Sequence, residues 1–131
     1  DISDPGEYFS PDGNFSVKVS IINVKNPEVN IDLTKKEYIK FLDYDRIQDS
    51  LILRTPEPGD RMVIRSDGAV KKLNRILSDR KIERTERNKV PVIACGSEIV
   101  WAVGIRIGEN YKVTDNTSRI ICLEYKEEKN R

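Results

Sequence analysis

The residues with the clearest chemical potential are cationic. Between Arg54 and Lys89 the chain holds eleven Lys/Arg against six Asp/Glu, a local net charge of +5 in a chain of net +1, which leaves −4 elsewhere. Arg54, Arg61 and Arg65 precede an amphipathic stretch, Lys71, Lys72 and Arg75 lie on it, and Arg80, Lys81, Arg84 and Arg87 follow. Exposed Lys and Arg are usually only solvated. Here they come from several adjacent elements, arginine is well represented, and the rest of the chain is acidic. Guanidinium forks match phosphate oxygens, and a polarised basic face draws a polyanion through counterion release. Few aromatics interleave with these cations, so stacking of single strands is poorly served. A surface that reads the backbone of an A-form stem fits better.

Other chemistry is largely excluded. Histidine is absent, which removes Ser-His and Cys-His nucleophile pairs and His-based zinc sites. Cys95 and Cys122 have no CxxC spacing and sit in apolar runs, so they read as small buried thiols of a protein in a reducing compartment. Asp43 and Asp45 flank Tyr44 in FLDYD and read as a solvated strand face rather than a metal or acid–base pair. No phosphate-binding glycine loop is present. The pattern argues against autonomous catalysis: carboxylate-only or lysine-based chemistry stays open but nothing marks it, and no catalytic residue, metal or cofactor is assigned to this chain. No apolar run reaches the ~20 residues a membrane helix needs, and the acidic, turn-rich DISDPGEYFS reads as neither a signal peptide nor a basic transit peptide. The expected location is cytoplasmic.

The elements that must position the cations follow from periodicity. Phe15, Val17, Val19 and Ile21 alternate with polar residues, the pattern of a half-buried strand entered by Asp12-Gly13 and ended by Asn26-Pro27. Thr34-x-x-Glu37 has capping-box spacing, but the residues from Tyr38 to Tyr44 favour an extended segment over 37–44. LILRT (51–55) is a short strand, Pro58-Gly59 a type II turn, and 61–65 a strand running into Asp67-Gly68. Val70, Leu73, Ile76 and Leu77 fall on one side of a helix over 70–78, which would place Lys71, Lys72 and Arg75 together on its exposed side. A second short helix is expected over Thr85–Lys89, ended by Pro91. VPVIAC and EIVWAVGIRI form a hairpin through Gly96-Ser97, with Trp101 in the core. RIICLEY (119–125) is a last strand with Ile120, Cys122 and Tyr125 on one side. The fold class is α+β, mainly β. Residues 1–48 read as a β-rich lead-in, 49–125 as the main domain and 126–131 as a disordered tail.

The order Arg54, Pro58-Gly59-Asp60-Arg61, Lys71-Lys72-Leu73, Asp79, Lys81-Ile82, Arg87, Pro91, Ile99-Val100-Trp101-Ala102-Val103-Gly104 and Arg106 resembles the C-terminal domain of bacterial tRNA(Ile)-lysidine synthetases. The resemblance spans residues 41–125, and more weakly 1–40. This chain departs from the family at Ile64, Ser66 and Ala69, where Pro, Gly and Gly are usual. It departs again at Asn74-Arg75-Ile76-Leu77 in place of Lys-Asp-Phe-Phe, and at Glu83 in place of Pro.

The resemblance implies a compact β-sandwich with one or two short helices, related to a module of the phenylalanyl-tRNA synthetase β subunit. It implies a non-catalytic domain that grips the acceptor stem of an isoleucine tRNA. It further implies an N-terminal catalytic domain that uses ATP and magnesium to attach lysine to the wobble cytidine. Arg54, Arg61, Arg65, Lys71, Lys72, Arg75, Lys81, Arg84, Arg87 and Arg106 are the expected tRNA contacts, and Asp60 is expected to order its turn or pair with an arginine. Full enzymes of this type are often homodimers. A protein-interaction or dimerisation module with a charged face, or a spacer for the catalytic domain, are the alternatives from other classes.

Overall fold

Alternating apolar residues at both ends of the chain build one sheet. The computed structural model describes residues 5–11, 13–23 and 38–127. Strands β1 (Gly6–Phe9), β2 (Phe15–Asn23) and β3 (Ile39–Asp43) join β10 (Arg119–Glu127) in an antiparallel sheet of order β1-β2-β10-β3. A second sheet has the order β4-β7-β8-β5-β6, with β9 folded onto β8. Its strands are β4 (Ile52–Arg54), β5 (Arg61–Val63), β6 (Val70–Lys72), β7 (Val92–Cys95), β8 (Glu98–Ala102) and β9 (Arg106–Ile107). Helices α1 (Leu73–Asp79) and α2 (Arg84–Arg87) follow β6. The architecture is mainly β, two sheets with two short helices.

The sheets share one core. Phe15, Val17 and Val19 from β2, Leu42 from β3 and Ile121 and Leu123 from β10 meet Leu53, Ile93, Val100 and Trp101 of the second sheet. The described strands before position 49 therefore contribute side chains to the same core as those after it. A bulge opposite Ile93/Ala94 lets both Val100 and Trp101 face this core, because the inserted residue shifts the period-two phase. Trp101 is fully buried. The opposite face of the second sheet holds a smaller cluster. There Leu73, Ile76 and Leu77 of α1 cover Met62, Val92, Ala94, Ile99 and Ala102. Fully burying a side chain of this size contributes about 1.5–3 kcal/mol, so the three α1 residues anchor the helix to the sheet.

Several local expectations shift. Residues 70–72 are strand, not the first turn of a helix: they pair with β5, and Val70 is 54% exposed rather than core. The inward set of β10 is Ile121 and Leu123, with Tyr125 packed against it. Ile120 is buried but belongs to the other face, and Cys122 is only half-buried. EIVWAVGIRI does not run straight through. Gly104 takes φ +78° and turns β9 back on β8. Helix α2 begins at Arg84, and Glu83 precedes it without a side-chain cap. Asp43 is 6% exposed: it accepts the Thr117 hydroxyl (3.0 Å) and the Asp45 N–H (3.1 Å), capping the 3-10 turn Tyr44–Arg46. It is no part of a solvated face. Lys126 and Glu127 continue β10. The Asn26-Pro27 break, Thr34–Glu37 and residues 128–131 lie outside the described residues.

Candidate nucleic-acid interface

The cationic stretch folds as a hairpin followed by two helices. Gly68 supplies the left-handed conformation (φ +91°) at the tip, where Gly68 N–H donates to Arg65 carbonyl at 3.0 Å and Ile64 N–H to Ala69 carbonyl at 2.8 Å. The register sets Arg61 directly opposite Lys72 and Met62 opposite Lys71. Because partners share a face, Lys71 lies with buried Met62 on the α1 side and Arg61 lies on the other, while Lys72, the last residue of β6 and the N-cap of α1, stands where the strand turns into the helix and lines the groove beside it. Like charges directly opposed are unfavourable. On the far side of Arg61 its partner is Glu98 of β8, whose Oε1 accepts the Tyr111 hydroxyl (2.5 Å) and the Asn110 amide (3.1 Å). Neither Arg61 nor Lys72 forms an ion pair among the described residues.

Helix α1 ends in a Schellman arrangement. Ile82 N–H donates to Leu77 carbonyl and Lys81 N–H to Ser78 carbonyl, each at 2.9 Å. Glycine is the usual occupant of the left-handed position in this cap. Here it is Lys81, at φ +60°. Ile82 packs under the helix while Lys81 stays exposed.

Two shallow grooves flank α1, and Asn74 lines both. One, of ≈ 570 Å³, is lined by Val70, Lys71, Lys72, Asn74, Arg75 and Ser78. The other, of ≈ 470 Å³, is lined by Pro56, Glu57, Pro58, Asn74, Arg84, Arg87 and Asn88. Lys71, Lys72, Arg75, Arg84 and Arg87 are thus gathered around one exposed helix, from three elements. Their charges are not equally available. Lys71 and Arg75 both pair with Asp79, Arg75 at 3.5 Å. The hydrogen bond from Lys71, then the charges of Lys71 and Arg75, hold the Asp79 carboxyl below its ordinary range. Arg87 donates Nε–H to the Ile82 carbonyl at 2.9 Å. Lys72 and Arg84 are exposed and in no ion pair among the described residues.

The other expected contacts are dispersed. Arg61 lies on the opposite face of the β5–β6 hairpin from Lys71. Arg65 sits at the hairpin tip, 3.5 Å from Asp67. Arg106 is tied to the Ile64 carbonyl (3.3 Å) and to Glu109 (3.4 Å). Arg54 is turned inward onto Asp60, its side chain 13% exposed. The fork hydrogen bond to Asp60 raises the already high pKa of Arg54. Sequence reasoning missed Asn74, whose neutral exposed side chain gave no charge signal. Among the described residues no group of three or more His, Cys, Asp or Glu is arranged to hold a metal ion, and no helix is long and apolar enough to cross a membrane. Burial, ahead of the charge of Asp49, pushes the Cys95 thiol up, away from the reactive thiolate.

A family model described as the TilS substrate C-terminal domain matches residues 51–123. The chain belongs to this family. A tRNA(Ile)-lysidine synthase of Caldanaerobacter subterraneus subsp. tengcongensis is 44% identical over 97 residues, covering 74% of this chain and 21% of that protein. One from Clostridium tetani is 34% identical over 117 residues, covering 88% and 24%. The chain therefore spans about a fifth to a quarter of the length of these curated relatives. A crystal structure of a TilS C-terminal domain superposes with a TM-score of 0.72 at 24% identity, covering 96% of this chain and 93% of that one, and shows the same fold.

Proposed function

We propose that this TilS C-terminal domain holds the acceptor stem of an isoleucine tRNA against α1, for a parent enzyme that attaches lysine to the anticodon. The observation that carries this reading is the pair of grooves meeting at Asn74, with five cations from β6, α1 and α2 around them. A convex helix between two cationic troughs suits a duplex whose phosphate ridges lie on either side of a shallow minor groove. Lys72 and Arg84, one in each trough, are the free charges that neutralise phosphates on the two ridges. Lys71, Arg75 and Arg87 add to the field, and Arg61, Arg65 and Lys81 extend it around the hairpin tip and the end of α1. The names of the relatives, each a tRNA(Ile)-lysidine synthase, support tRNA as the class of nucleic acid.

The chemistry of lysine transfer belongs to the parent's catalytic domain, which binds ATP and magnesium in the cytoplasm. This domain contributes selection of the tRNA and is inactive alone. Its isolated affinity is low, because the parent also grips the anticodon end. The test is filter binding of this chain to an acceptor-stem minihelix and to an anticodon stem-loop across a salt series. The minihelix should bind more tightly, with affinity falling steeply as salt rises. Equal binding of the two RNAs, or minihelix binding indifferent to salt, would contradict the proposal.

A further inference from the structure

Arg54 and Asp60 occupy the junction of the elements that carry the cationic face. Arg54 Nη1–H donates to Asp60 Oδ2 at 2.8 Å and to the Thr55 carbonyl at 3.0 Å. Its Nη2–H donates to Asp60 Oδ1 at 2.9 Å and to the Gly96 carbonyl at 3.1 Å. Asp60 Oδ2 also accepts the Glu57 N–H at 2.8 Å, closing the turn that Gly59 makes at φ +89°. The backbone of the same residue reaches further. The Asp60 carbonyl accepts the Leu73 N–H, the first of α1, at 2.9 Å, and the neighbouring Arg61 N–H donates to the Ser97 carbonyl at 3.0 Å. One bidentate pair thus joins the end of β4, the 56–60 turn, the β7–β8 turn and the start of α1.

We propose that Arg54 and Asp60 are a positioning pair for RNA binding: they touch no phosphate, and they set the spacing between the two grooves beside α1. This rests on the acceptor-stem reading above. The 56–60 turn supplies Pro56, Glu57 and Pro58 to one groove, while α1, whose first N–H hangs on Asp60, supplies Asn74 and Arg75 to the other. A guanidinium fork engaged on both carboxylate oxygens fixes orientation as well as distance. An ammonium in its place would keep the charge and lose the geometry.

Positioning and simple charge counting predict effects of opposite sign. Asp60→Asn removes a negative charge from beside a cationic surface, so electrostatics alone predicts tighter RNA binding. The positioning role predicts weaker binding. The experiment measures minihelix affinity of this chain across a salt series for wild type, Asp60→Asn and Arg54→Lys, at a temperature where circular dichroism shows each variant folded. Both variants should bind several-fold more weakly, and their log–log salt slopes should become shallower by about 0.7–0.9 for each phosphate that is no longer neutralised. A merely structural role would lower the melting temperature and leave the slope of the folded protein unchanged. Unchanged slopes, tighter binding by Asp60→Asn, or wild-type binding by Arg54→Lys would overturn the proposal. Loss of fold in both variants would overturn it too, since the pair would then support the whole domain rather than one surface. Failure of the wild type to bind the minihelix would instead sink the acceptor-stem reading.

Discussion

The interior between the two sheets and the layer outside α1 are held by different means. Between the sheets the packing is apolar: Val17, Leu42, Ile93, Val100, Trp101 and Leu123 are fully buried. Beneath α1 lies a smaller apolar cluster, and the charged layer over it divides in two. Arg54, Lys71, Arg75 and Arg106 are matched to carboxylates, whereas Arg61, Lys72, Lys81 and Arg84 are exposed and in no ion pair among the described residues. The difference separates what packing holds from what charge arranges. The interior fixes the fold by packing. On the acceptor-stem proposal, the matched charges aim the layer and the free charges are the ones that meet phosphate.

The largest expected effect breaks the interior alone. Trp101→Ala should cost about 3–5 kcal/mol of unfolding free energy, read by denaturant titration. Its RNA affinity per folded molecule should be unchanged; an equal loss in both would erase the distinction between the regions. Alkali probes the same interior. Burial, ahead of the charges of Glu127 and Tyr38, pushes Tyr125 up to about 12 from an ordinary 10.0. Tyr111 is raised as well, by burial first and then by its bond to Glu98. With folded pKa values above unfolded ones, the stability these phenols contribute is fully present below pH 10 and is lost as pH rises towards 12. Melting temperatures should fall through that window. A flat profile would mean the phenols are as solvated as in the unfolded chain.

Smaller effects sharpen the contrast within the layer. Lys81→Gly should stabilise the domain by about 1 kcal/mol, because glycine adopts the left-handed cap without Cβ strain. The same change should weaken minihelix binding by removing a free cation. Stability and affinity moving in the same direction would show that Lys81 is not part of the RNA surface. Asp79→Asn should have the smallest effect on melting, since its ion pairs are exposed. It should raise RNA affinity by releasing Lys71 and Arg75 into the groove. Weaker binding would mean that Asp79 is needed to aim those two side chains.

Much of this layout was legible in the residues. The alternation of Phe15, Val17 and Val19, the hairpin around Gly96-Ser97, the turn at Pro58-Gly59 and the burial of Leu73, Ile76, Leu77 and Trp101 all follow from local pattern. The start of α1 does not. Val70 continues the helical spacing of Leu73 and Ile76, yet pairing of residues 70–72 with β5 wins, and a partner strand is not a local signal. The phase of β10 was ambiguous for a similar reason: Ile120 and Ile121 are adjacent, and only the sheet opposite decides which one faces the core. For the candidate site, charge counting found the cations but could not tell matched from free. Arg54 and Arg61 look alike in the chain, and only the folded carboxylate of Asp60 separates them.

The most direct test of the free-charge account is the salt dependence of minihelix binding by a Lys72→Ala, Arg84→Ala double variant. The account predicts a log–log slope shallower than wild type by about 1.4–1.8, the sum for two phosphates, with the melting temperature nearly unchanged. A slope equal to that of the wild type would contradict it.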